Sequence, residues 1–123
     1  MPRILICDDE PGVRKFIREV LEAEGHAVRE TDGWKSCLEA LHDQPADLLF
    51  LDLNLPEVTG EQILDALGTT RPRVVVITGA GTERADEAFV KHRVRILMKP
   101  FTSYEILEAV RIDLGGTFGS SRQ

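Results

Sequence analysis

The sequence predicts an α/β protein built on a five-stranded parallel sheet with helices on both faces. Three observations carry this. Short apolar runs alternate with amphipathic stretches five times along the chain. Two of those runs, Leu48-Leu49-Phe50-Leu51 and Val74-Val75-Val76-Ile77, are apolar at every position, as strands buried on both faces are. And 123 residues with 42% hydrophobic and 29% charged side chains suit one ordinary globular unit with a core of its own.

Each element has its own signature. Ile4-Leu5-Ile6-Cys7 reads as a buried strand. Val13, Phe16, Ile17, Val20 and Leu21 then recur at helical spacing, with Pro11 suited to the first turn and Gly25 to the stop. Ala27 to Glu30 is a weaker strand near an edge, and Trp34, Cys37, Leu38 and Leu41 mark a second helix closed before Pro45. Leu48 to Leu51 is the third strand, and Ile63, Leu64 and Leu67 mark the third helix. Val74 to Ile77 is the fourth strand, and Ala85, Ala88 and Phe89 mark a weaker fourth helix. Ile96-Leu97-Met98 is the fifth strand. Thr102 and Glu105 have capping-box spacing for a fifth helix carrying Leu107, Val110 and Leu114. Residues 1–114 form the domain, and 115–123, rich in Gly and Ser, read as a flexible tail or the start of a linker to an absent output domain.

Composition narrows the function. A net charge of −6 disfavours direct nucleic-acid binding. No apolar run is long enough for a signal peptide or a membrane span, so the expectation is a cytoplasmic protein with no membrane contact. Cys7 and Cys37 lack a CxxC partner or neighbouring metal ligands and read as small buried hydrophobes. His26, His42 and His92 fall on turns or helix ends and read as exposed. Lys91, Arg93 and Arg95 form a small basic patch on a solvated surface.

In open α/β sheets ligands bind beyond the carboxyl ends of the strands. Asp8, Asp9 and Glu10 follow the first strand, Asp52 the third, Thr78 and Gly79 the fourth, and Lys99-Pro100 the fifth. Clustered carboxylates repel unless a hard cation such as Mg²⁺ or Mn²⁺ joins them. Asp8-Asp9-Glu10 alone also fits an acidic helix N-terminus, but with Asp52 on a neighbouring strand metal binding is the better reading. A carboxylate at such a mouth can form an acyl phosphate, which needs little beyond positioning and charge neutralisation. Lys99 then supplies a point charge, Thr78 a hydroxyl donor, and Gly79 room for the backbone to come close. Singly, Lys99 could be a surface ion pair and Thr78 a strand-end hydroxyl bonded to backbone.

These stretches resemble the receiver domains of bacterial response regulators. Ile4 to Glu10, Leu51-Asp52-Leu53-Asn54-Leu55-Pro56 with Gly60, Val76 to Ala80, and Lys99-Pro100-Phe101 occur in that family's order, over about residues 3 to 114. The resemblance implies a flavodoxin-like (βα)5 fold with strand order 2-1-3-4-5. It implies that Asp52 accepts phosphoryl from a phosphohistidine on a sensor histidine kinase or a histidine phosphotransfer protein. Asp9 would be a direct metal ligand, Asp8 would act mainly through water, and the carbonyl of Asn54 would complete the metal site. Thr78 and Lys99 would hold the phosphoryl group, and a cis peptide would join Lys99 to Pro100. The chain would be a regulatory phosphoacceptor rather than an enzyme, supporting its own phosphorylation and autodephosphorylation. Phosphorylation would switch the helix 4/strand 5/helix 5 surface, through which a homodimer could form.

Two departures stand out. The family carries an aromatic three residues before the lysine, and here that switch position is Ile96. Residues 91–95 lack the usual Gly-Ala before strand five, which predicts an unusual or mobile fourth helix. Three rivals compete. A degenerate receiver acting as an interaction module is kept in play by Ile96. A haloacid-dehalogenase-type phosphatase would need an acid where Asn54 stands, and its acidic metal pair comes late in the chain, whereas Asp8-Asp9 comes first. A flavodoxin would place phosphate where Asp8-Asp9-Glu10 repels it.

Overall fold

Five parallel strands in the order β2-β1-β3-β4-β5 form the centre of the computed structural model, which describes residues 2–52, 55, 58, 62, 65, 66, 72–79 and 94–120. The strands are β1 (Arg3–Cys7), β2 (Ala27–Thr31), β3 (Leu48–Asp52), β4 (Arg73–Thr78) and β5 (Arg95–Met98). The helices among the described residues are α1 (Pro11–Ala23), α2 (Trp34–Asp43) and, as the fifth helix of the sequence reading, α3 (Ser103–Ser120). The expected third helix is described only at Gln62, Asp65 and Ala66, all helical. Ile63, Leu64 and Leu67, the fourth-helix positions Ala85, Ala88 and Phe89, and Asn54, Pro56, Gly60, Lys91, His92 and Arg93 lie outside the described residues.

Strand alternation divides the core in two. Leu5, Cys7, Leu49, Leu51, Val74 and Val76 pack on one face with Cys37, Trp34 and Leu41 of α2. Ile4, Ile6, Leu48, Phe50, Val75 and Ile77 pack on the other with Ile17 and Leu21 of α1 and Ile106, Ala109 and Val110 of α3. Burying each of these large side chains contributes roughly 1.5–3 kcal/mol, so the three central strands anchor the fold. β2 is an edge strand, exposed or half-buried throughout, which fits its polar residues.

Local signals set the ends. Pro11 opens α1, and the chain leaves it through Gly25, whose φ of 88° is the left-handed conformation glycine adopts without strain. The Thr102–Glu105 box closes reciprocally: the Thr102 amide donates to Glu105 Oε1 at 2.8 Å, and the Glu105 amide donates to Thr102 Oγ1 at 3.1 Å.

Several expectations are corrected. α3 runs through Gly115 to Ser120, where the sequence suggests a tail, because extending a formed helix costs far less than starting one. Leu38 is exposed although it shares the apolar spacing of α2. His26 is half-buried, and burial lowers its basicity. Arg95 is not a solvated patch residue: its Nε lies 3.1 Å from Asp113 Oδ1 and ties β5 to α3. The cysteines, by contrast, are as expected, buried free thiols, and the adjacent Cys37 thiol together with burial pushes Cys7 far above the ordinary thiol range.

Candidate functional site

The parallel register brings four strand ends to one rim. Asp8 follows β1, and its amide still donates to Thr31 O of β2 at 3.2 Å. Asp52 is the last residue of β3, paired in register with Ile77, and Thr78 ends β4 opposite Met98. Asp52 was expected just past its strand; it lies within the ladder and is only 2% exposed. Thr78 is fully buried. Lys99 follows β5, and its amide donates to Thr78 O at 2.8 Å, so backbone pairing runs one residue beyond the strand. The Lys99–Pro100 peptide bond is cis.

Asp8 is the most constrained acid. Its Oδ1 accepts the Glu10 amide at 2.8 Å in a local turn. Among the described residues its buried Oδ2 has no hydrogen-bond partner, and Lys99 Nζ at 3.3 Å offers charge without hydrogen-bond geometry. Burial, helped by the nearby Asp52 charge, pushes the Asp8 carboxyl up to about 6 against the opposing pull of the Glu10 amide and Lys99. Asp9 is exposed. Carboxylate oxygens of Asp8, Asp9 and Asp52 all lie within 4.8 Å of one another. An all-oxygen, all-carboxylate donor set with an unpartnered buried oxygen is the chemistry a hard divalent cation fits.

Lys99 is the counter-charge. Its ammonium lies 2.6 Å from Glu10 Oε1, 3.3 Å from Asp8 Oδ2 and 3.7 Å from Asp52 Oδ2. Burial pulls its pKa down, but the three carboxylates outweigh that and raise it, so it stays a cation. Gly79 is not sterically required: a Cβ there would rest on Lys99 Cδ at 3.8 Å, an ordinary contact. Ile96 is half-buried against the core on the α2 face of the sheet.

Glu10, read from the sequence only as one of three clustered acids, and Arg14, which that reading passed over, both belong to this rim. Glu10 makes the shortest contact of Lys99. Arg14 donates from Nη1 to Asp8 O at 2.7 Å and from Nε to Glu30 Oε1 at 3.0 Å, tying α1 to the acidic turn and to β2. Arg14 stands one helical turn after Glu10, which is the spacing signal that could have found it.

The profile described as response regulator receiver domain matches residues 4–111. The chain belongs to this family. The transcriptional regulatory protein BtsR of Salmonella typhi is 35% identical over 103 residues, covering 81% of this chain and 43% of that protein. The KDP operon transcriptional regulatory protein KdpE of Escherichia coli is 32% identical over 117 residues, covering 93% of this chain and 52% of that protein. The response regulator receiver protein CpdR of Brucella abortus is 27% identical over 113 residues, 94% of its own length. The chain thus spans about half or less of the two transcriptional regulators it matches and nearly all of CpdR. Among solved structures, NtrX from Brucella abortus superposes with a TM-score of 0.83 at 28% identity, covering 99% of this chain and 29% of that one. A CheY-like receiver domain protein from Methanospirillum hungatei superposes at 0.86 with 24% identity and 98% coverage of both, which speaks to the fold alone. Among the described residues no helix is long and apolar enough to cross a membrane.

Proposed function

We propose that this receiver accepts a phosphoryl group on Asp52. The observation that carries the reading is the meeting of Asp52, Lys99 and the carboxylates of Asp8 and Asp9 at one rim, with Lys99 Nζ 3.7 Å from the Asp52 carboxylate. An Asp52 oxygen attacks phosphorus of a phosphohistidine on a sensor kinase or histidine phosphotransfer protein. The new O–P bond forms as the N–P bond breaks, and the imidazole leaves with the electron pair. Asp8, Asp9 and Asp52, with the carbonyl of Asn54, would hold Mg²⁺ or Mn²⁺. The cation would neutralise the charge that gathers on the phosphoryl oxygens.

This chain's own residues do the rest. Lys99 pairs with one phosphoryl oxygen, and the Thr78 hydroxyl donates to another. Holding the phosphoryl group draws Thr78 and Lys99 inward and biases the face of helix 4, β5 and α3, the same face that would form a homodimer. With Ile96 in the switch position, no aromatic swing reports the change. The reading makes the chain a cytoplasmic regulatory module, with residues 1–114 as the working unit. Its output lies in the effectors that read this face.

The test is a small acyl phosphate with Mg²⁺, followed by intact mass. Wild type should gain one phosphoryl group, and Asp52→Asn should gain none. Equal labelling of both would remove Asp52 from the reaction, and an unlabelled wild type would favour a degenerate interaction module.

A further inference from the structure

The geometry points to Glu10 as a positioning residue that slows loading of the site by holding the Lys99 ammonium away from Asp52. Loading then requires this ion pair to be exchanged for a pair between Lys99 and a phosphoryl oxygen. The inference rests on Asp52 being the phosphoacceptor.

Lys99 has three carboxylates in reach, and the one it contacts most closely has no assigned part in the chemistry. Its Nζ is at hydrogen-bond distance from Glu10, 2.6 Å, and beyond it from Asp52, 3.7 Å. The backbone holds Glu10 in place for this. Its amide is tied to Asp8 Oδ1, and its φ of −95° and ψ of 115° are the extended conformation a residue before proline prefers. The Glu10 side chain is 59% exposed, whereas those of Asp8 and Asp52 are almost wholly buried. An exposed ion pair is weak and easily screened, so Glu10 is an exchangeable partner. A phosphoryl group on Asp52 carries more charge than a carboxylate and sits in a drier place, so it wins the ammonium. The Lys99 amide bonded to Thr78 O fixes the base of the side chain, so only its charged end changes partner.

Two measurements test this on the full chain. The first is the initial rate of Asp52 labelling by acetyl phosphate at saturating Mg²⁺, read by intact mass. Glu10→Gln should label about two- to fivefold faster than wild type, the range an exposed ion pair supports. Glu10→Asp keeps the charge but falls one methylene short of Lys99, and it should label at the rate of Glu10→Gln. The second is the rate at which formaldehyde and a borohydride methylate Lys99 in metal-free protein, mapped by peptide mass. It should rise in both variants while the rates at Lys15 and Lys35 stay put. A Glu10→Gln rate at or below wild type overturns the inference. So does a Glu10→Asp rate equal to wild type, since charge at the mouth alone would then explain the effect. Unchanged Lys99 methylation overturns the ion pair itself, whatever the labelling shows. Labelling that survives Asp52→Asn instead overturns the phosphoacceptor reading, and the methylation result still stands by itself.

Discussion

Two charged clusters meet at Arg14 and are built on opposite plans. On the rim, among the described residues, Asp8, Glu10 and Asp52 share one ammonium, that of Lys99, and Asp9 adds a fourth carboxylate. On the α1–β2 edge, Arg14 and Arg18 face Glu30 and Glu22, with contacts of 3.0, 2.5 and 3.1 Å and as many cations as anions. The carboxyl groups respond in opposite senses. Burial raises Asp8 to about 6, whereas the Arg18 and Arg14 guanidiniums outweigh desolvation and hold Glu30 below its ordinary value. The edge is a satisfied cluster that helps hold the fold. The rim is left under-compensated, and that deficit is what a cation and a phosphoryl group can make good.

The contrast can be broken in order of size. Asp8→Asn should stabilise the metal-free chain at neutral pH by up to about 3 kcal/mol, the equivalent of moving a carboxyl from its ordinary value to about 6. The sign follows from the raised native pKa. The Asp8 contribution is complete below about pH 4 and is lost as pH rises through about 6. Denaturant midpoints in chelator across that window should therefore fall for wild type and stay level for Asp8→Asn. Glu30 runs the other way: its contribution is present above its ordinary 4.5 and is lost as pH falls through its lower native value.

Next in size, Mg²⁺ at a hundredfold excess over its dissociation constant should stabilise wild type by about 2.7 kcal/mol. The gain should vanish in the double variant Asp8→Asn, Asp9→Asn. A gain that persists there would put the cation elsewhere. Arg14→Ala should cost about 1–2 kcal/mol, because it strips partners from the Asp8 carbonyl and from Glu30 together. It should also weaken the Mg²⁺-induced shift, which Arg18→Ala should leave alone. Arg18→Ala should have the smallest effect on the denaturant midpoint, since its contacts are largely exposed and screened.

All five strands, the helices at 11–23 and 34–43, and the last helix as far as Leu114 were legible because each carries a dense local pattern. Apolar runs mark β1, β3 and β4, and Pro11, Gly25 and the Thr102–Glu105 box mark the helix ends. The meeting of Asp8, Asp52, Thr78 and Lys99 was legible because parallel strands send their carboxyl ends to one side. What escaped depends on side-chain geometry. Nothing in a string of acids says that Glu10 rather than Asp52 lies nearest Lys99, or that one oxygen of Asp8 is buried without a donor among the described residues. Arg14 escaped because a helical arginine usually means solvent. Here it reaches the carbonyl of a turn and a strand carboxylate at once.

Lys99 has two ends with different mechanical characters. Its amide is clamped to the Thr78 carbonyl, and its ammonium is shared among three acids. The residue is therefore a swivel on a fixed mount. An amide-exchange measurement at Lys99 would register opening of the β4–β5 end, while side-chain nitrogen resonances would register only the partner of the moment. A single residue thus offers separate readings of the frame and of the charge it carries.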